Sequence, residues 1–343
     1  MSCSGETTEA SDEFIQIRPT LLNQLKKAKY GVADHGTVEL CHWTKKSFRN
    51  EGDCYKHKFY GISTHRCMEF SPAGMFCENR CVYCWRPMEF YSSMKMPQDK
   101  VAPPEVILSR LMEERERLIM GHYGDPKSDA KKIDESLLPS HYAISLSGEP
   151  TMYPQLPELI RYLKQIPATK SVFLVTNGQE PEMLERLRDE DSLPTQLYLS
   201  TNAPNEKVFH LVNKPKYKDA WERWNSSLDI ISRLDGTRSV LRFTLIRGHN
   251  EDEGLVPEYS EMVKRGNTHF IEIKSYMHVG RSTNRLAYSD MLDMSEIRSF
   301  SGMLARQSGI YSVMDESEIS RIVVLQNMRR FKDRLISSYA DTN

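Results

Sequence analysis

Residues Cys67 to Arg86 read CMEFSPAGMFCENRCVYCWR. Within them Cys77, Cys81 and Cys84 follow the spacing C-x3-C-x2-C, and Tyr83 stands just before the last cysteine. Three thiolates this close in sequence can each bind one iron of a 4Fe–4S cluster and leave the fourth iron without a protein ligand. A cluster that only passes electrons normally has four cysteines, and a structural zinc takes four closed ligands. An open iron invites a small-molecule ligand. The competing reading is a zinc knuckle completed by a histidine, but no Cys or His follows closely enough to serve it.

The remaining composition bounds the setting. A chain of 343 residues has room for one large α/β domain with additions, or for two small domains. Hydrophobic content of 39% and charged content of 27% are those of an ordinary globular protein. No apolar run approaches the roughly 18 residues of a membrane span, and no signal-peptide core follows Met1, so a cytoplasmic protein without membrane partners is expected. All seven cysteines lie at or before Cys84, a crowding that in a reducing compartment argues for metal rather than disulfides. The net charge of −1 gives no overall nucleic-acid signal. Locally, Lys and Arg outnumber Asp and Glu by six to two over 42–66, nine to five over 205–250 and five to one over 320–339. With Trp43, Phe48, Tyr55, Tyr217, Trp221 and Trp224 among them, these segments could suit an RNA partner, or they could be solvated faces.

Along the chain, residues 1–13 form a polar lead expected to be disordered, and 14–31 carry helical spacing (Leu21, Leu22, Leu25) closed by Gly31. Cys41, Cys54 and Cys67 then recur with twelve residues between each pair. Alone they could be buried structural cysteines; beside an open-iron triad they predict a second 4Fe–4S cluster. Downstream, strands and helices alternate. Strands are expected at 66–70, 142–146, 171–175, 197–200, 239–246 and 269–275, with helices at 104–120, 156–165, 181–189, within 205–212 and 218–234, and at 255–265 and 293–308. This alternation implies a parallel sheet with right-handed crossovers, a partial (β/α)6-type TIM barrel over 66–325. Residues 14–65 form an N-terminal extension carrying cysteines of the second set, and 326–343 a basic C-terminal tail.

Strand C-termini in such a barrel carry the active-site loops. Ser147-Gly148-Glu149-Pro150 follows one strand and offers a carboxylate and turned carbonyls to an ammonium group. Thr176-Asn177-Gly178 follows the next, as a ligand for a carboxylate or ribose or as a simple Asn-Gly turn. Ser200 and Asn202 end the one after that, placed to meet ribose hydroxyls. Glu272 and Lys274 alternate on a late strand and could point inward together or form an internal ion pair.

The triad with its aromatic, and SGEP in place of the Gly-Gly-Glu-like segment, resemble the radical S-adenosylmethionine (SAM) superfamily. The order CHWTKK, CYKHKFYGI, HRCMEFSP, C-x3-C-x2-CWR, SGEP, LRFTLIRGHN and IEIKSYMHVGRS is similar to the tRNA 4-demethylwyosine synthases, from about Tyr30 to Leu325. The resemblance implies two 4Fe–4S clusters. The Cys77/Cys81/Cys84 cluster would chelate SAM and cleave it to a 5′-deoxyadenosyl radical, with Tyr83, Ser147, Gly148, Glu149, Asn177, Ser200 and Asn202 around the cofactor. The Cys41/Cys54/Cys67 cluster would bind pyruvate. Lys56 matches the family's lysine proposed to form a Schiff base with pyruvate; for this it must be neutral, and Lys58 is expected to help from the same face of an extended segment. The alternative is that both lysines are exposed phosphate binders. The implied reaction is carbon–carbon lyase-type: N1-methylguanosine at position 37 of tRNA-Phe condenses with pyruvate to give 4-demethylwyosine. The chain resembles the short form without a flavodoxin-like domain, which implies an external flavodoxin- or ferredoxin-like electron donor. Two rivals are another two-cluster radical SAM enzyme acting on a peptide or small molecule, and a zinc-stabilised RNA-binding protein.

Overall fold

The computed structural model describes residues 14–336. Ten strands form one sheet in the order β1-β2-β3-β4-β5-β6-β7-β8-β10-β9. Its centre is six parallel strands: β3 (Cys67–Ser71), β4 (His141–Ile144), β5 (Ser171–Thr176), β6 (Gln196–Thr201), β7 (Arg238–Leu245) and β8 (Phe270–Ser275). Antiparallel strands extend both edges: β1 (Gly31–Ala33) and β2 (Gly36–Glu39) beside β3, and β10 (Ile322–Asn327) with β9 (Tyr311–Ser317) beside β8. This is the expected partial barrel, a mixed sheet whose two edge strands do not pair with each other among the described residues.

The crossover helices match their sequence patterns closely, including Pro104–Met120, Leu156–Gln165 and Pro181–Asp189, each with Pro at the first or second helical position, where a missing N–H costs nothing. Two segments differ from expectation. The helix expected over 14–31 is α1 (Pro19–Lys27), and Gly31 opens the β1–β2 hairpin instead of closing the helix. A Cβ at Gly31 would press on Glu114 and Val38 at 2.7 Å, so the hairpin lies tight against the Pro104–Met120 helix. The segment around Lys56, expected to be extended, is the short helix α3 (Tyr55–Tyr60), ended by Gly61 at φ 74. The expected lead 1–13, with Cys3, lies outside the described residues.

Alternation along the strands divides the core. One face of each parallel strand (Met68, Ile144, Leu174, Leu199, Leu241, Ile273) packs into the large cluster shared with the crossover helices. The other face (Ala143, Phe173, Tyr198, Val240, Phe270) forms a second cluster inside the barrel, which α3 enters with Tyr55, Phe59 and Tyr60. Beyond β10 the chain crosses beneath this cluster: Ile336 is buried in it and donates its N–H to Tyr60 O at 2.9 Å.

Candidate active site: two cysteine trios in one barrel

The loop leaving β3 carries Cys77, Cys81 and Cys84, and polar groups hold its backbone. Arg80 donates to the carbonyls of Cys77 (2.5 Å) and Tyr91 (2.6 Å), and Arg285 donates to those of Val82 (3.1 Å) and Cys84. The N–H groups of Arg80 and Val82 bond to Asn213 and Val212, where the 206–213 helix ends. Tyr83 is fixed through its hydroxyl, which accepts from Asn202 Nδ2 at 2.7 Å. Burial pushes all three thiols up, that of Cys81 to about 12, so binding of iron there must displace protons.

Facing this loop are the ends of β4, β5 and β6. Gly148 has φ +68, and a Cβ there would collide with Ala73 O and stand 2.7 Å from Phe76 O; SGEP is pressed against the cysteine loop and only glycine fits. Glu149 is buried and accepts from Thr151 N (3.1 Å), Thr151 Oγ1 (2.6 Å) and Asn177 N (2.8 Å). Asn177 also approaches Cys77 Sγ with Nδ2 at 3.7 Å. The Ser147 hydroxyl is shared between Thr37 Oγ1 (2.8 Å) and Gly74 O (3.0 Å), which ties SGEP to the β1–β2 hairpin. Asn202 is buried, and its Oδ1 has no partner among the described residues. Ser200 lies on the same strand end, its carbonyl accepting from Trp224 Nε1 at 3.0 Å. Glu78, read in the sequence only as a spacer between cysteines, is also buried here beside Glu149, and burial together with the Glu149 charge pushes its carboxyl up to about 8.

The second trio lies at the other end of the barrel. Cys41 precedes α2 (His42–Phe48) and accepts from Thr44 N at 3.4 Å; Cys54 precedes α3; Cys67 begins β3. The β2–β3 register pairs Thr37 with Ser71 and Glu39 with Glu69, and two steps further it brings Cys41 to Cys67. The three thiols are mutual electrostatic neighbours, and Lys56 lies beside Cys54 and Cys67. Among the described residues no three His, Cys, Asp or Glu side chains converge tightly enough for a single metal ion.

Lys56 is 9% exposed, and its side-chain amine makes no hydrogen bond or ion pair among the described residues. Its Nζ lies 4.6 Å from the ring centre of Phe173 and 5.2 Å from that of Tyr198. Lys58 turns away to the surface, paired with Asp315 at 2.8 Å, because a helix does not carry i and i+2 on one face. The expected help from Lys58 is therefore absent. Glu272 and Lys274 share the inward face of β8. Glu272 accepts from Tyr55 OH (3.0 Å) and Tyr60 OH (2.8 Å) and pairs with Arg242 at 3.9 Å, so its cation is Arg242 rather than Lys274. Lys274 has no carboxylate partner within 4.0 Å among the described residues; burial and Arg242 pull its ammonium down to about 8. Arg242 had no signal in the sequence beyond a charged residue within a β-rich run.

At the mouth, Lys214, Lys216 and Lys218 are all exposed, and the N–H of Lys216 bonds to Glu78 O at 2.9 Å. The basic run thus sits directly on the cysteine loop. No helix among the described residues is long and apolar enough to cross a membrane.

Comparison with known proteins agrees with this geometry. The radical SAM superfamily profile matches residues 72–255, and that for wyosine base formation matches 265–327. The SAM-dependent tRNA 4-demethylwyosine synthase of Pyrococcus abyssi is 40% identical over 317 residues, 91% of either chain. The mouse protein of that name is 36% identical over 97% of this chain but only 45% of its own length. A solved structure of TYW1 with a lysine–pyruvate adduct bound superposes with a TM-score of 0.83 at 37% identity, covering 93% of this chain and 99% of the other. An archaeal TYW1 structure superposes with 0.74 at 34% identity, covering 93% and 100%. With the radical SAM barrel, two cysteine trios and this likeness over nearly its whole length, the chain belongs to the SAM-dependent tRNA 4-demethylwyosine synthases.

Proposed function

We propose that the chain condenses N1-methylguanosine at position 37 of tRNA-Phe with pyruvate to give the tricyclic base 4-demethylwyosine, a carbon–carbon lyase-type reaction of the cytoplasm. The observation that carries this reading is Lys56: an amine with no carboxylate partner, buried on two ring faces beside one cysteine trio, inside a barrel whose mouth holds the other. The groups at the mouth suit SAM: Asn202 Oδ1 is a buried acceptor without a partner among the described residues, and Glu149 is a buried carboxylate held in place by Thr151 and Asn177 where an ammonium could be met.

In this reading Cys77, Cys81 and Cys84 hold the SAM-binding 4Fe–4S cluster. Glu149 and the SGEP backbone take the methionine end, Asn177 its carboxylate side, and Ser200 and Asn202 the ribose. Tyr83 braces Asn202. Bound to the reduced cluster, SAM supplies the one-electron chemistry that removes hydrogen from an unactivated methyl group, which no acid–base side chain can do. Cys41, Cys54 and Cys67 would hold a second 4Fe–4S cluster, whose open iron would supply a binding point for pyruvate beside Lys56. The Lys56 amine attacks the ketone carbon and water leaves, giving an imine whose nitrogen is later expelled by the guanine amino group. Arg242 and Lys274 put positive charge where a carboxylate must be accommodated. Electrons come from a separate flavodoxin- or ferredoxin-like donor. The test is anaerobic turnover with reductant, SAM, pyruvate and methylated tRNA-Phe, read by nucleoside mass. The tricyclic base is expected; 5′-deoxyadenosine without any change in the tRNA would assign the chain to a different radical SAM reaction.

A further inference from the structure

Of the chain's four tryptophans only Trp85 is exposed, at 43%. Tryptophan is usually well buried because its ring is the largest apolar surface a side chain offers. This ring is also firmly held. The carbonyl of Trp85 accepts from Arg281 N at 3.0 Å. Gly280, at φ +56, packs so closely below that a Cβ there would stand 2.5 Å from the same oxygen. The guanidinium of Arg86 lies 3.2 Å from the ring centre; it is 4% exposed and paired with Glu39 at 2.6 Å. One face of the indole is therefore covered by a fixed cation, and its open area belongs to the other face. A flat aromatic ring, stiffly mounted and bare on one side, is a stacking platform.

Its place indicates what would stack there. Trp85 directly follows Cys84, and the segment packed under it belongs to the loop leaving β8, so the ring stands on the rim of the barrel mouth. On the same rim Arg281 lies 5.4 Å from the ring centre of Phe90, a second exposed aromatic, and the exposed Lys214, Lys216 and Lys218 adjoin the cysteine loop. Aromatic faces among cations suit nucleobases and the phosphates between them. For chemistry inside the barrel the reacting guanine must leave the stack of its neighbours, and the base left behind loses a stacking partner. We infer that Trp85 is the stacking platform for the nucleobase adjoining the methylguanosine, and fills the place in the stack that the reacting base vacates. The inference rests on the tRNA reading above and deepens it.

The experiment measures binding of methylated tRNA-Phe to the reconstituted protein over a range of salt, with iron content recorded for each variant. Trp85→Leu should weaken binding by about tenfold and leave the log–log salt slope unchanged, because stacking releases no counterions. Trp85→Phe, which keeps an aromatic face, should retain most of the affinity. A second measurement leaves the loop unaltered: tRNA with 4-thiouridine placed in turn on either side of the methylguanosine is irradiated on the wild-type protein. The crosslink is expected on the peptide containing Trp85. Wild-type affinity in the Leu variant, equal losses in the Leu and Phe variants, or a crosslink mapped elsewhere overturns the inference. Slower reduction by a flavodoxin-like donor with tRNA affinity intact also overturns it, and gives the exposed ring to a protein partner. A wild type that does not bind the tRNA removes the tRNA reading itself, which separates the two failures.

Discussion

The two cysteine trios sit at opposite ends of one strand. Cys67 opens β3, and the loop that leaves its far end carries Cys77, Cys81 and Cys84. The loop trio spans eight residues, and its backbone is clamped by Arg80, Arg285 and the 206–213 helix end. The other trio is assembled from three separate elements: the residues before α2 and α3, and the first residue of β3. A local trio is specified by its spacing. A dispersed trio exists only once the β2–β3 register and the entry of α3 into the barrel are in place. Removing one ligand should therefore have different consequences at the two ends.

The largest effect is expected at the loop. Replacing Cys77, Cys81 or Cys84 by Ala should leave no detectable 5′-deoxyadenosine and no product, while the dispersed trio keeps its iron. SAM cleavage surviving in any of the three would break the assignment of this trio to the cofactor. Replacing Cys41, Cys54 or Cys67 should instead remove about half of the iron, one cluster of two. Product should disappear, and reductive cleavage of SAM should persist. Full iron content would return these three to buried structural cysteines.

How each trio was legible follows from the same contrast. C-x3-C-x2-C is a sequence-local pattern, and so were most crossover helices, because apolar period and N-terminal proline are local too. Cys41, Cys54 and Cys67 are legible as a set from their even spacing beside the triad and from the resemblance, but nothing in their twelve-residue gaps announces that strand register joins them. Helix α3 was missed because six residues are too few to show a period. The missed helix misplaced Lys58, which points to Asp315. The cage of Lys56 was invisible for another reason. Phe173 and Tyr198 come from β5 and β6, far away in sequence, and read there as ordinary core aromatics. Glu78 was hidden inside a motif, as a spacer whose identity the spacing does not weigh.

Lys56→Arg sharpens the comparison from within the dispersed end. Guanidinium stays protonated, so the variant keeps a cation but loses the nucleophile. It should hold both clusters, cleave SAM and bind tRNA, yet make no tricyclic base, whereas Lys58→Arg should be nearly silent because that side chain serves a surface pair. Borohydride should trap pyruvate on Lys56 of the wild type. Lys274 is the rival amine, since burial and Arg242 bring it to about 8 and so leave a fraction neutral near pH 7. A peptide map with the adduct on Lys274 would transfer the imine to β8 and leave Lys56 as an electrostatic aid.

The smallest effect is expected at the surface of the mouth, where Lys214, Lys216 and Lys218 surround the loop trio but touch no part of the dispersed one. All three are exposed, and the backbone of Lys216 is tied to Glu78, so a phosphate held here would be held next to the cofactor end. Each neutralised phosphate releases counterions, so tRNA affinity should fall steeply with salt, and each lost contact should flatten the log–log slope by about 1. Charge reversal at any one lysine should weaken tRNA binding by roughly three- to tenfold at moderate salt, an effect that shrinks as salt rises. Because an exposed lysine is not needed to shape the buried pocket, cleavage of SAM without tRNA should be unchanged. A variant that lost SAM cleavage as well would show that the run supports the loop itself. Unchanged tRNA affinity and slope in all three would make it a solvated face and move the RNA-binding surface elsewhere on the barrel.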